Sequence, residues 1–119
     1  MKKFSIRERV KSFRYALNGI GQFFREEHNA RIHLAATILM IILAIFLKVS
    51  KGEVILLTLV TGLVWAAELL NTAIEKAMDL ISVKKDPRIR FIKDVAAAAV
   101  LVMAIVALTT GCIVFIPKL

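Results

Sequence analysis

The sequence has 119 residues, 59% of them apolar, a mean hydropathy of +0.76 and a formal net charge of +8. A soluble domain of this length needs a polar exterior, and this composition leaves too little to make one. The basic residues flank apolar runs instead of forming a patch on a polar fold, so anionic lipid headgroups, and not nucleic acid, are the expected counter-charge.

A bilayer core about 30 Å thick takes roughly 20 apolar residues per spanning helix. The chain has room for three such spans and one polar-faced segment, and none for a separate soluble catalytic domain. Any chemistry must therefore be built on the spanning helices and their short connections. An all-α membrane protein follows, a helical bundle with an amphipathic surface helix before it. No apolar run of seven or more residues follows the opening Met-Lys-Lys within the first thirty, so no cleaved leader is expected.

The first predicted element covers residues 5–26. Ile6, Val10, Phe13, Leu17, Ile20 and Phe24 recur at steps of three and four, one apolar stripe on a helix, with Arg7, Arg9, Lys11, Arg14 and Gln22 on other faces. A basic amphipathic helix of this kind lies in the headgroup plane, as an anchor or as a lid over a site at the membrane surface. The first span follows at residues 32–47. Lys48 to Glu53 make a short turn. The second span covers 54–74, marred by Glu68 and Asn71, and the third covers 95–116, closed by Pro117. Fourteen of the Lys and Arg residues fall before the first span or between the second and third, against three on the other side. The positive-inside bias places the N-terminus and the second loop in the cytoplasm, in a multi-pass protein of the bacterial inner membrane.

Glu68, Asn71, Thr72, Glu75 and Asp79 follow one another at steps of three, one, three and four, so all five occupy one face of the second spanning helix. An ionised carboxylate near the bilayer centre costs at least about 2.5–3.5 kcal/mol, and such residues usually face a bundle interior or mark a site. The stripe descends from the headgroup region towards the acyl region, where a molecule with a polar head and an apolar tail would meet it. The deeper carboxylate, Glu68, is the less solvated and suits a general base for a hydroxyl. The shallower Glu75 suits Mg2+, which takes oxygen ligands and binds through one or two carboxylates plus substrate phosphates. Asn71 can hold either group. The same stripe could also serve as a hydrogen-bond ladder between helices or as a proton site.

Other polar residues precede the remaining spans: Glu26, Glu27, Arg31 and His33 before or at the first, Lys93 and Asp94 before the third. Asp94 can be read as the N-cap of the third spanning helix, and Lys93 as part of the basic bias. His28 and His33, five apart, do not share a face, which argues against a two-histidine metal site. Cys112, the single cysteine, sits in an apolar run and reads as a small apolar residue. The five glycines make neither a Walker A pattern nor a glycine-rich kinase loop, so any nucleotide would be held by helix-borne carboxylates through Mg2+ and by basic side chains. Four successive alanines, Ala96 to Ala99, permit close approach of helices in a bundle or oligomer.

The run Glu68-Leu-Leu-Asn71-Thr-Ala-Ile-Glu75-Lys-Ala-Met-Asp79, followed by Lys93-Asp94-Val-Ala-Ala-Ala-Ala-Val-Leu, resembles the small prokaryotic diacylglycerol kinase and undecaprenol kinase family. Ser12-Phe13-Arg14-Tyr15-Ala16 and Glu27-His-Asn-Ala-Arg31-Ile-His33 match as well, so the likeness covers nearly the whole chain in order. It implies a homotrimer with active sites shared between subunits at the cytoplasmic interface, and ATP with Mg2+ as phosphoryl donor. By position, Glu68 would be the base that activates the lipid hydroxyl, and Glu27 and Glu75 would bind Mg2+ with the ATP phosphates. Asn71, Asp79, Lys93 and Asp94 would complete the site, Lys93 on phosphate, and Tyr15 would line the nucleotide. The chain departs from the enterobacterial members at His33, where they carry a glutamate, at Asn18, where they carry a lysine, and at Glu8, in place of a nucleotide-contacting arginine. The Ile-His form is similar to the Gram-positive branch, in which undecaprenol is the main acceptor.

Two readings from other classes compete with a lipid kinase. A small proton-coupled transporter also needs an intramembrane glutamate, but normally has an even, pseudo-symmetric set of spans. A structural or regulatory membrane subunit would have no use for five aligned polar residues.

Overall fold

The structure, a computed structural model, describes residues 3–119, which form four α-helices and a short terminal turn of 3-10 helix. These are α1 (Ile6–Glu26), α2 (His28–Phe46), α3 (Lys51–Ile81) and α4 (Pro87–Phe115), with Ile116–Lys118 in the final turn. Three of them, α2, α3 and α4, are long and apolar enough to cross a membrane. The chain divides into an N-terminal unit ending at Ile32 and a helical bundle from His33 to Leu119.

In the N-terminal unit, Ser5 caps α1 in extended conformation, its hydroxyl accepting from the Glu8 amide at 3.4 Å. The apolar stripe of α1 is left uncovered by protein: Ile6, Val10, Phe13 and Leu17 are all exposed. A stripe of that kind is stable only against an apolar medium, which a lipid interface supplies. At Glu27 the backbone turns extended (φ −104°, ψ 118°), which ends α1, and α2 begins at the next residue.

In the bundle, α3 and α4 pack closely along their lengths. Their direction is fixed by ion pairs at both ends. Lys93 Nζ meets Asp79 Oδ1 at 2.6 Å beside the connecting loop, and Lys118 Nζ meets Glu53 Oε1 at 3.1 Å at the opposite end, so the two helices are antiparallel. The loop end is called the head of the bundle here, and the other end its foot.

The foot is tightly specified. Lys48 adopts a left-handed conformation (φ 53°), its amide donating to the Ile45 carbonyl and the next amide, that of Val49, to the Ala44 carbonyl. That pair of bonds is a Schellman ending, a motif that usually places glycine where Lys48 stands. Ser50 and Glu53 then form a reciprocal capping box at the start of α3. Beneath the turn, Leu57, Val114 and Phe115 form a buried cluster, with Met40, Leu43 and Leu47 of the first spanning region packed against it.

Helix and span differ in length for a physical reason. The apolar run fixes only the part that crosses hydrocarbon, while the helix continues into the headgroup region as far as its caps allow. So α3 begins at Lys51 and persists to Ile81, and α4 begins at Pro87. The N-cap of α4 is Asp86, not Asp94: its carboxylate accepts from the Arg88 amide at 2.8 Å, and proline takes the first helical position, where no amide hydrogen is needed. The Arg88 guanidinium, also bonded to Asp86, holds that carboxyl below the usual carboxylate range. Asp94 instead lies two turns inside α4.

Candidate active site

The polar stripe of α3 forms a gradient of burial. Glu68 is 4% exposed, Asn71, Thr72 and Glu75 are half-buried, and Asp79 is exposed. A continuous helix produces this, because its turns carry the same face from the bundle interior up to the head.

Glu68 does not stand alone. Its Oε1 lies 2.7 Å from Nε2 of His33 on α2, and Oε2 has no partner among the described residues. A buried charge is tolerable only when bonded, and this bond supplies the compensation. His33 is itself held. The Trp65 ring packs edge-on to its imidazole (centroids 6.0 Å apart, 63° between planes), and the Trp65 indole donates to Thr37 Oγ1 at 3.1 Å. Thr37 Oγ1 in turn donates to the carbonyl of His33 at 2.7 Å.

Further towards the head the partners thin out. Asn71 Oδ1 is buried without a hydrogen-bond partner in the chain. Glu75 makes no bond to any described residue, although it is half-buried. Buried acceptors are normally satisfied, and unsatisfied ones point to a site. At the top, Asp79 takes up Lys93. Asp94 turns away from this group to Arg90, Nε to Oδ1 at 3.0 Å. The bundle therefore brings together Glu68, Asn71, Glu75, Asp79 and Lys93, while Asp94 stays outside that set. In the N-terminal unit, Tyr15 is exposed near the middle of α1, and Glu27 is half-buried at the joint after it, its carboxylate unbonded among the described residues.

Among the described residues no three His, Cys, Asp or Glu side chains gather into a metal-ion set. Mg2+ does not require one, because it keeps waters and takes most of its protein-side oxygens from one or two carboxylates. An unbonded carboxylate at Glu75 next to the unsatisfied Asn71 Oδ1 fits an ion held in that manner.

An apolar groove of about 470 Å3 runs between α2, α3 and α4. His33, Thr37 and Trp65 line it towards the head, and Leu57, Phe115 and Ile116 towards the foot. Cys112 faces it, exposed, as a small apolar residue would.

Sequence reasoning set His33 in the polar cluster at the first span without pairing it with Glu68, and missed Trp65. A signal was present: an imidazole inside an apolar run needs a partner, and Glu68 is a buried acid in the neighbouring span.

Three membrane-length helices, with a polar stripe graded from the bundle interior to its head above an apolar groove, define an integral membrane protein suited to a molecule with a polar head and an apolar tail. The family model for prokaryotic diacylglycerol kinase matches residues 14–115, and the chain belongs to that family. It is 39% identical over 109 residues to the undecaprenol kinase of Bacillus subtilis, covering 92% of this chain and 89% of that protein. It is 38% identical to the diacylglycerol kinase of Synechocystis, over 91% of this chain and 62% of that one. Against the diacylglycerol kinase of Escherichia coli K12 the identity is 33%, over 87% and 85%. The chain is a lipid kinase, with a lipid and a nucleotide as its substrate classes. The proton-coupled transporter finds no support in these comparisons.

Proposed function

We propose that the chain phosphorylates the hydroxyl of a membrane lipid with ATP and Mg2+, and that undecaprenol is the preferred lipid. The observation that carries the reading is the graded stripe: one buried, bonded carboxylate at Glu68, then unsatisfied acceptors at Asn71 and Glu75, above an apolar groove. A lipid alcohol whose tail enters the groove has its hydroxyl at the level of Glu68. Glu68 Oε2 takes the hydroxyl proton. The oxygen bonds to the γ-phosphorus as the bond from that phosphorus to the β-phosphate oxygen breaks, and ADP leaves. Glu75 and, by the resemblance, Glu27 would hold Mg2+, which would neutralise charge on the phosphates. Lys93, oriented by Asp79, offers its ammonium to phosphate, with Tyr15 and Asp94 at the nucleotide. Most of the rate enhancement then comes from positioning two substrates in line.

Two further elements support this reading. The uncovered stripe of α1 suits a helix lying on the cytoplasmic headgroups, where ATP is found. The exposed faces of the spanning helices, with Ala97 to Ala99 among them, suit packing of three copies into a homotrimer. Undecaprenol is favoured by the similarity to the Bacillus subtilis protein, whose match spans most of both chains.

The test is phosphate transfer from labelled ATP by the purified protein in mixed micelles, with undecaprenol and diacylglycerol offered separately. Transfer that requires Mg2+ and runs faster with undecaprenol is the expected result. Faster transfer to diacylglycerol would reverse the acceptor, and no transfer to either would overturn the reaction.

A further inference from the structure

His33 bonds directly to the stripe, yet the reaction as written does not use it. Its position is not that of a packing residue. Nε2 is 2.7 Å from Glu68 Oε1, its ring is braced by Trp65, its backbone carbonyl is tied by Thr37, and it lines the head of the apolar groove. A carboxylate can only accept, so with Glu68 ionised the proton of this bond sits on Nε2. Nδ1 has no partner among the described residues.

We infer that His33 is the positioning residue for the acceptor half of the reaction: its Nε2–H fixes one oxygen of Glu68 and aims the other at the lipid hydroxyl. The inference rests on the lipid-kinase reading above.

Three features carry it. The bond joins two helices across 35 residues of sequence, so the carboxylate is aimed by α2 as well as by its own helix. The donor is held rigidly: Trp65 braces the imidazole ring and Thr37 ties the His33 carbonyl, so the direction of the bond to Glu68 is fixed. Finally, the other charged groups nearby are already engaged or face outward. On α3, Asp79 is paired with Lys93, and Glu75 lies nearer the head. On α4, Lys93 is taken by Asp79, and Asp94 by Arg90. The one bond to Glu68 among the described residues is the one from His33.

The support behind His33 has the same logic. Thr37 stands one turn below on α2 and accepts the Trp65 indole while donating to the His33 carbonyl, so α2 and α3 are tied at the level of the imidazole. A base that must meet a hydroxyl within hydrogen-bond reach needs its supporting groups fixed in this way.

The experiment uses the full chain in mixed micelles, in two variants. His33→Leu keeps bulk without a donor, and His33→Gln keeps an N–H at similar reach. His33→Leu is expected to lower kcat on the order of 100-fold, the range for a mispositioned general base, with KM for ATP unchanged. His33→Gln is expected to recover most of that loss. Wild-type kcat in the leucine variant, or equal losses in both variants, would overturn the inference. A second readout does not depend on turnover. The chain has two histidines, so imidazole 15N spectra with a His28→Gln reference isolate His33. In the wild type Nε2 should be protonated and bonded, and Glu68→Gln should shift that resonance. An unshifted resonance overturns the positioning role alone, whereas a wild type that phosphorylates neither lipid overturns the reaction and the role together.

Discussion

The two ends of α3 carry glutamates that behave in opposite ways. At the foot, Glu53 is satisfied by its own neighbourhood: the Ser50 amide at 2.9 Å, and Lys118 at 3.1 Å from the end of the chain. At the head, Glu68 reaches across to another helix for its one bond, and Glu75 and Asn71 are left with unused acceptors. The foot is built to close, with a capping box, a left-handed turn and a buried apolar cluster, and its polar groups are consumed by structure. The head retains polar capacity at a depth where retention is costly. Identical residue types on one helix thus separate into a cap and a site, according to whether local partners exhaust them.

Mutations at the two ends should divide in the same way. The largest effect belongs to Glu68→Gln, which keeps shape and removes the base. Turnover should fall about 10²–10⁴-fold, the contribution of general base catalysis, with the unfolding midpoint in detergent unchanged. A lowered midpoint with lost assembly would make Glu68 structural glue and break the comparison. Glu75→Gln comes next: the Mg2+ concentration for half-maximal rate should rise roughly 10-fold, in line with the loss of a ligand-shell group, and an unchanged Mg2+ titration would remove Glu75 from the metal site.

At the foot the readout changes to stability. Leu57→Ala should destabilise by ~2 kcal/mol, the low end for a buried leucine, because in lipid the cavity term remains while the transfer term shrinks. The folded variant should keep its kcat, with any change confined to the KM for lipid, because Leu57 also lines the groove. The smallest effect runs in the favourable direction. Lys48→Gly should add about 1 kcal/mol by removing the side-chain clash of the left-handed backbone, seen as a raised midpoint; a lower one would show that the Lys48 side chain contributes more than its backbone conformation costs.

How much of this could be read from the sequence depended on the range of the interaction. The helices were legible because hydropathy and periodicity are local: the α1 stripe and the three apolar runs each correspond to a helix. The face shared by Glu68, Asn71, Glu75 and Asp79 was legible for the same reason, since one helix fixes it. The start of α4 is open to a local reading through Asp86-Pro87, whereas Asp94 lies at the edge of the apolar run, where the span begins and not where the helix does. The pairing of Glu68 with His33, and of Lys93 with Asp79, depends on how helices pack against one another, and no spacing along the chain encodes that. Trp65 was hidden in another way: an aromatic in an apolar run reads as core until its indole is seen to donate.

The length of α3 has one more consequence. Its 31 residues extend ~46 Å at 1.5 Å per residue, well beyond a hydrocarbon core of about 30 Å. The surplus stands at the head, beside Glu75 and Asp79. The helix therefore acts as a gauge: its foot is pinned at one interface, and the distance from there to Glu68 is set by covalent geometry. A thinner bilayer lifts Glu68 towards water, and a thicker one draws Glu75 into hydrocarbon. Turnover in bilayers of graded acyl length should therefore peak at one thickness, and a rate independent of thickness would remove this role from the helix.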